Sequence, residues 1–191
     1  MPVQIGAESH NFSDPTGLLS DCHRRIEMFL GSLQAVAQVI DRPATAEVAQ
    51  ALESALRYFS QAAPKHTADE EESLFPRLRR IANAEVTSVV SKLHELEKEH
   101  RRADALHAQV ERLGMKYLAE GSLSRQEVDK FRVSVADLRS IYERHITLED
   151  SVVFPLASRH LTEQEKSAIA DEMAGRRKVE LVDLGHVSEG R

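Results

Sequence analysis

Apolar residues recur at three- and four-residue intervals through most of the chain, the period of a helix that buries one face. The first such stretch opens at Asp14-Pro15, a capping acid followed by proline at the first helical position. It runs through Leu18, Leu19, Ile26, Phe29, Leu30, Leu33, Val36 and Ile40 to a stop at Arg42-Pro43. Thr45 opens a second helix with Val48, Leu52, Leu56 and Phe59 on one stripe. Pro64 predicts a kink in it rather than a break, because helix formers lie on both sides. A third helix is expected over about 84–119, carrying Val86, Val89, Val90, Leu93, Leu96, Ala103, Leu106, Val110 and Leu113. A fourth starts at Ser124, where Glu127 completes a capping box, and continues to Phe154-Pro155. Thr162 and Glu165 form another box for a short helix ending at Gly175, and from Arg176 the lost periodicity predicts a loosely attached tail. Strand-type alternation is absent from the sequence. The expected fold is all-α: an up-and-down four-helix bundle over 1–160, with a short C-terminal fifth helix and tail over 161–191.

Composition narrows the function classes. The 191 residues, 41% of them hydrophobic, suit one domain with a real core. Lys and Arg number 25 against 31 Asp and Glu, and a net charge of −6 repels phosphate backbones, so no nucleic acid partner is expected. The chain has neither an apolar run of ~20 residues nor a basic-then-apolar start, so no membrane partner is expected either. The single cysteine, Cys22, fits a reducing cytoplasm and excludes a Cys-rich metal site.

Nine histidines are the unusual feature. Six have an acid four residues on: His10 with Asp14, His23 with Glu27, His66 with Glu70, His100 with Asp104, His107 with Glu111 and His145 with Glu149. That spacing stacks imidazole and carboxylate on one helix face, within reach of a common ion. The chain also repeats internally. His66, Asp69, Glu70, Glu71 and Phe75-Pro76 lead to a second copy, His145, Leu148, Glu149, Asp150 and Phe154-Pro155. His23-Arg24-Arg25 with Glu27 likewise returns as His100-Arg101-Arg102 with Asp104. Two helix pairs, each giving one histidine and then a histidine with a carboxylate, would surround one pseudo-symmetric centre. The repeat selects Glu70 and Glu149: Asp69 has Leu148 as its counterpart, and Glu71 and Asp150 point further round, towards solvent or an outer layer.

These residues resemble the hemerythrin-like (HHE cation-binding) family, in members with the pattern H…HxxxE…H…HxxxE. The matching positions are His23, His66 with Glu70, His100, and His145 with Glu149, and the likeness spans roughly 15–158, including Leu74-Phe75-Pro76 and Val153-Phe154-Pro155. Oxygen-carrying hemerythrins have HxxxH on the third helix. Here Leu96 and Asp104 flank His100 at those offsets, which points to the redox, iron-sensing or peroxide-consuming branches.

What the resemblance implies is a metal site of four imidazoles and two carboxylates, a donor set suited to iron, with manganese or zinc as alternatives. The expected cofactor is two Fe ions with an oxo or hydroxo bridge, which offsets positive charge in a low-dielectric core. Six side chains leave open positions on two octahedral ions, for dioxygen, peroxide or nitric oxide. The expected activity is di-iron redox chemistry such as peroxide disproportionation; the alternatives are a non-enzymatic iron, oxygen or nitric oxide sensor or carrier, and a zinc-stabilised interaction bundle. Glu27 and Asp104 are candidates to orient the ligand imidazoles, and Tyr142, three residues before His145, is a candidate proton donor or ligand. His107 with Glu111 reads as a solvated pair; His10, His94, His160 and His186 read as surface residues and Cys22 as an inert thiol. The acidic run Asp69 to Glu72 reads as a solvated face apart from Glu70.

Overall fold

A computed structural model describes residues 12–178. Helix α1 spans Pro15–Val39, with the Asp14 side chain accepting from the Gly17 N–H. Helix α2 (Ala46–Gln61) starts at a Thr45 cap and passes through Ala62 into α3 (Ala63–Ala68), all in right-handed helical backbone. The expected kink therefore falls one or two residues before Pro64, whose missing N–H sits in the first turn of α3. Helix α5 spans Ala84–Glu120 and α6 Arg125–Leu148, the latter opened by the Ser124–Glu127 capping box. Gly121 ends α5 in the left-handed conformation, at φ 75°.

Between α3 and α4 (Phe75–Leu78), and again between α6 and α7 (Phe154–His160), the chain widens into a π turn: Asp69–Leu74 and Glu149–Val153. Both copies precede Phe-Pro. Pro76 and Pro155 have no N–H to close the α-helical bond four residues back, and their rings crowd that carbonyl. The preceding amides instead reach five back, Phe75 N–H to the Glu70 carbonyl and Phe154 N–H to that of Glu149. An extra residue is thereby packed into each turn beginning at or beside a glutamate of the repeat.

α1 packs beside α2 and α6, and α5 beside α6 and α2, which closes a ring of four long rods joined by short connections. Helix α8 (Glu163–Arg177), started by the Thr162–Glu165 box, lies against the first π turn. Its last two residues correct the expectation of a loose tail from Arg176. Arg176 and Arg177 both ion-pair with Asp69, a buried carboxylate, at 2.9 and 2.6 Å. Arg77 also binds Glu172 of α8 in a two-pronged contact. Lys178 caps α8, and the rest of the expected tail, together with His10 and His186, lies outside the described residues.

The described residues form two apolar clusters. One runs from Ile26 on α1 to its C-cap Ile40, with Leu52, Phe59, Leu113, Tyr117, Phe131 and Leu138. The other joins Leu19, Phe75, Leu93, Leu96 and Phe154 to Ile169 and Met173 of α8. The repeated histidines fall at the seam between them: His23 between Leu19 and Ile26, and His100 between Leu96 and Ala103. A polar layer is thus sealed between two dry ones.

Candidate metal centre

The structure brings the six repeated side chains into that layer. His23, His66, Glu70, His100, His145 and Glu149 are all buried, the two glutamates completely. Each histidine turns Nε2 inward. Glu70 lies between the halves, with Oε1 3.1 Å from His66 Nε2 and 3.8 Å from His23 Nε2, and Oε2 3.3 Å from His100 Nε2. Glu149 Oε2 lies 3.1 Å from His23 Nε2 and 3.0 Å from His145 Nε2. His100 and His145 face each other, Nε2 to Nε2, at 3.0 Å. The atoms form two overlapping groups, His23, His66, Glu70, Glu149 and Glu70, His100, His145, Glu149, each with its donor atoms within 4.8 Å of one another. Both glutamates belong to both groups.

The buried polar atoms test whether these residues fit a cation. His23 Nε2 and all four carboxylate oxygens of Glu70 and Glu149 take no hydrogen bond from any described residue. Two such carboxylates cost several kcal/mol in an apolar core unless a positive charge sits among them. The electrostatics agree. Burial opposes a charged ring at His23, His100 and His145, yet the surrounding carboxylates raise the first well above its ordinary value, the second to about 10 and the third to about 9. Burial prevails at His66, which falls to about 4. Burial also opposes ionisation of Glu70, but His66, His100 and His23 hold it well below the usual carboxylate range. The pocket is a negative field lined with nitrogen donors, and it fits a cation.

The outer nitrogens of three rings are also held. His23 Nδ1 meets Asp150 at 2.9 Å, His100 Nδ1 meets Glu71 at 2.7 Å, and His145 Nδ1 meets Glu99 at 3.1 Å. Two of these pairings cross between the halves. The π turns swing the residue five places after His66 and His145 onto the first histidine of the other half. The expectation that Glu27 and Asp104 fill this role is corrected: both are exposed, and neither bonds a site imidazole. Four-residue spacing keeps them on the outer flank of their own helices, and Glu27 lines a small crevice with Leu30, Arg139 and Tyr142. Glu99 lies outside the spacing pattern that marked the other acids; its only signal in the sequence is an acid directly before a repeated histidine, with Cys22 at the matching place. The acidic run is not a solvated face either: Asp69 and Glu70 are buried, and Glu71 reaches His100.

Tyr142 is aimed elsewhere. Its ring stands edge-on to His145 at 6.3 Å, while its hydroxyl pairs with His107 Nε2 at 3.0 Å. His107, expected to pair with Glu111 in solvent, is instead largely buried and stacked on Phe59 at 4.3 Å; burial lowers its pKa to about 4. His94 is exposed as expected, and His160 is held by Glu85. Burial pushes the Cys22 thiol up, in keeping with an inert group. No described helix is long and apolar enough to cross a membrane.

The fold and this layer define a helical bundle with a buried histidine–carboxylate metal site. A family model described as the hemerythrin HHE cation binding domain matches residues 14–157, and the chain belongs to that family. A Haemophilus influenzae protein, described only as an uncharacterized protein, is 30% identical over 171 residues, covering 88% of this chain and 92% of its own length.

Proposed function

We propose that the protein is a non-haem di-iron redox protein that binds dioxygen or peroxide and disproportionates hydrogen peroxide. The observation that carries the reading is the sharing of Glu70 and Glu149 by two histidine pairs. His23 and His66 would hold one ion and His100 and His145 the other, with both carboxylates placed to span them. Iron fits imidazole with carboxylate, as manganese and zinc also do. When bound, the iron pair would relay two electrons from one peroxide, which with loss of two protons leaves as dioxygen, to a second peroxide, which takes up those protons and leaves as two waters. The chain's own residues hold the ions in a dry layer, and Asp150, Glu71 and Glu99 fix three of the four rings through Nδ1. Tyr142 and His107 are a hydroxyl and a neutral imidazole beside that layer, able to pass a proton between them.

A sensor is the second reading, favoured by the ion pairs from Arg176 and Arg177 to Asp69. Asp69 is the chain neighbour of Glu70, so a shift of the glutamate on ligand binding would be felt by α8.

The test is iron content and turnover. Protein produced with iron should carry about two irons per chain and show oxo-to-iron absorption. His66→Ala, His145→Ala and Glu70→Gln should each lose at least half the metal. Fewer than about one iron per chain, unchanged in those variants, overturns the assignment. Steady oxygen release from added peroxide supports the enzyme; stoichiometric binding without turnover supports the sensor.

A further inference from the structure

We infer that the two ion positions are unequal: the His100–His145 position binds its ion more tightly and fills first, and Glu99 sets the difference. The inference rests on the dinuclear reading of the site. The internal repeat is followed closely by the carboxylates outside the donors, then broken at one place. Asp150 holds His23 Nδ1, and its repeat counterpart Glu71 holds His100 Nδ1. Glu99 holds His145 Nδ1, and the residue at the matching place in the first half is Cys22. Accordingly His66 Nδ1 is buried with no hydrogen-bond partner among the described residues. The Cys22 sulfur instead lies 4.0 Å from the guanidinium of Arg25.

The consequence follows from imidazole chemistry. A ring that donates its Nδ1–H to a carboxylate is fixed in one tautomer and orientation and becomes a stronger donor at Nε2. Loss of such a partner typically weakens metal affinity about 10–100-fold. Both rings of the His100–His145 position have a carboxylate partner, whereas among the described residues the His23–His66 position has one ring so held and one bare. Glu99 lies 3.7 Å from the guanidinium of Arg144 through its other oxygen. The side chains that would hold the ions are of the same types at the two positions, and the carboxylates outside them are where the chemistry of the two positions differs.

The experiment titrates the metal-free full chain with Co²⁺ against a chromophoric chelator and counts bound ions by native mass spectrometry. The wild-type chain should bind two ions in separate steps, about 10-fold or more apart. Glu99→Gln should weaken the first step by about that factor and draw the two together, while Asp150→Asn should weaken the second and leave the first in place. Both residues are partly exposed, so either variant should fold; circular dichroism checks this. Two ions taken up with only the statistical spacing of equal sites would overturn the inference and leave the dinuclear reading standing. A Glu99→Gln variant that changes only the second step would overturn it equally. Saturation at one ion would overturn the dinuclear reading itself.

Discussion

Replacing Arg176 and Arg177 together with alanine strips both cations from Asp69, a carboxylate with no exposed surface. Burial already pushes that carboxyl above its ordinary value, against the opposing pull of Arg177 and Arg176. With both removed, a buried charge must stand alone or take up a proton. Breaking a buried pair from one side costs about 3–5 kcal/mol. At about 2.1 cal/mol/K of unfolding entropy per residue, 191 residues give ~0.4 kcal/mol/K, so the melting temperature should fall about 7–13 °C. The assay is thermal unfolding of metal-free protein by circular dichroism. Asp69→Asn in the double-variant background should then recover most of the loss, because the amide carries no charge to desolvate. A drop below about 2 °C would show that α8 is a loose appendage, and the reasoning would fail.

Three further outcomes are expected. His107 titrates near 4 when folded and near 6.5 when unfolded, so its stabilisation is complete above pH 6.5 and is lost as pH falls toward 4. That amounts to about 2.5 kcal/mol between pH 7 and 4.5, and His107→Gln should remove this share of the pH dependence in urea melts; identical slopes in both proteins would refute it. Ser124→Ala removes the cap of α6 and should cost about 1 kcal/mol, read from the urea midpoint. Phe75→Ala empties a fully buried position whose ring stacks parallel to His100 at 6.5 Å, and should cost about 3–5 kcal/mol in the same measurement.

The sequence by itself determined the rods and the candidate donors. Helical period, caps and proline stops are local signals, and Asp14, Thr45, Ser124 and Thr162 each cap the helix they predict. The repeat of His23, His66 and Glu70 as His100, His145 and Glu149 is legible because a site shared by two halves imposes the same spacing twice. Only the tertiary structure decided the rest. Glu71 finds His100 across 29 residues, Glu99 finds His145 across 46, and Asp150 finds His23 across 127. Asp69 is claimed by arginines more than 100 residues away, and His107 turns from its helical neighbour Glu111 to Tyr142. Periodicity fixes which face of a helix a residue occupies. It does not fix which rod lies opposite, nor how far a π turn before a proline rotates the next side chain, and those two quantities chose every outer partner of the site.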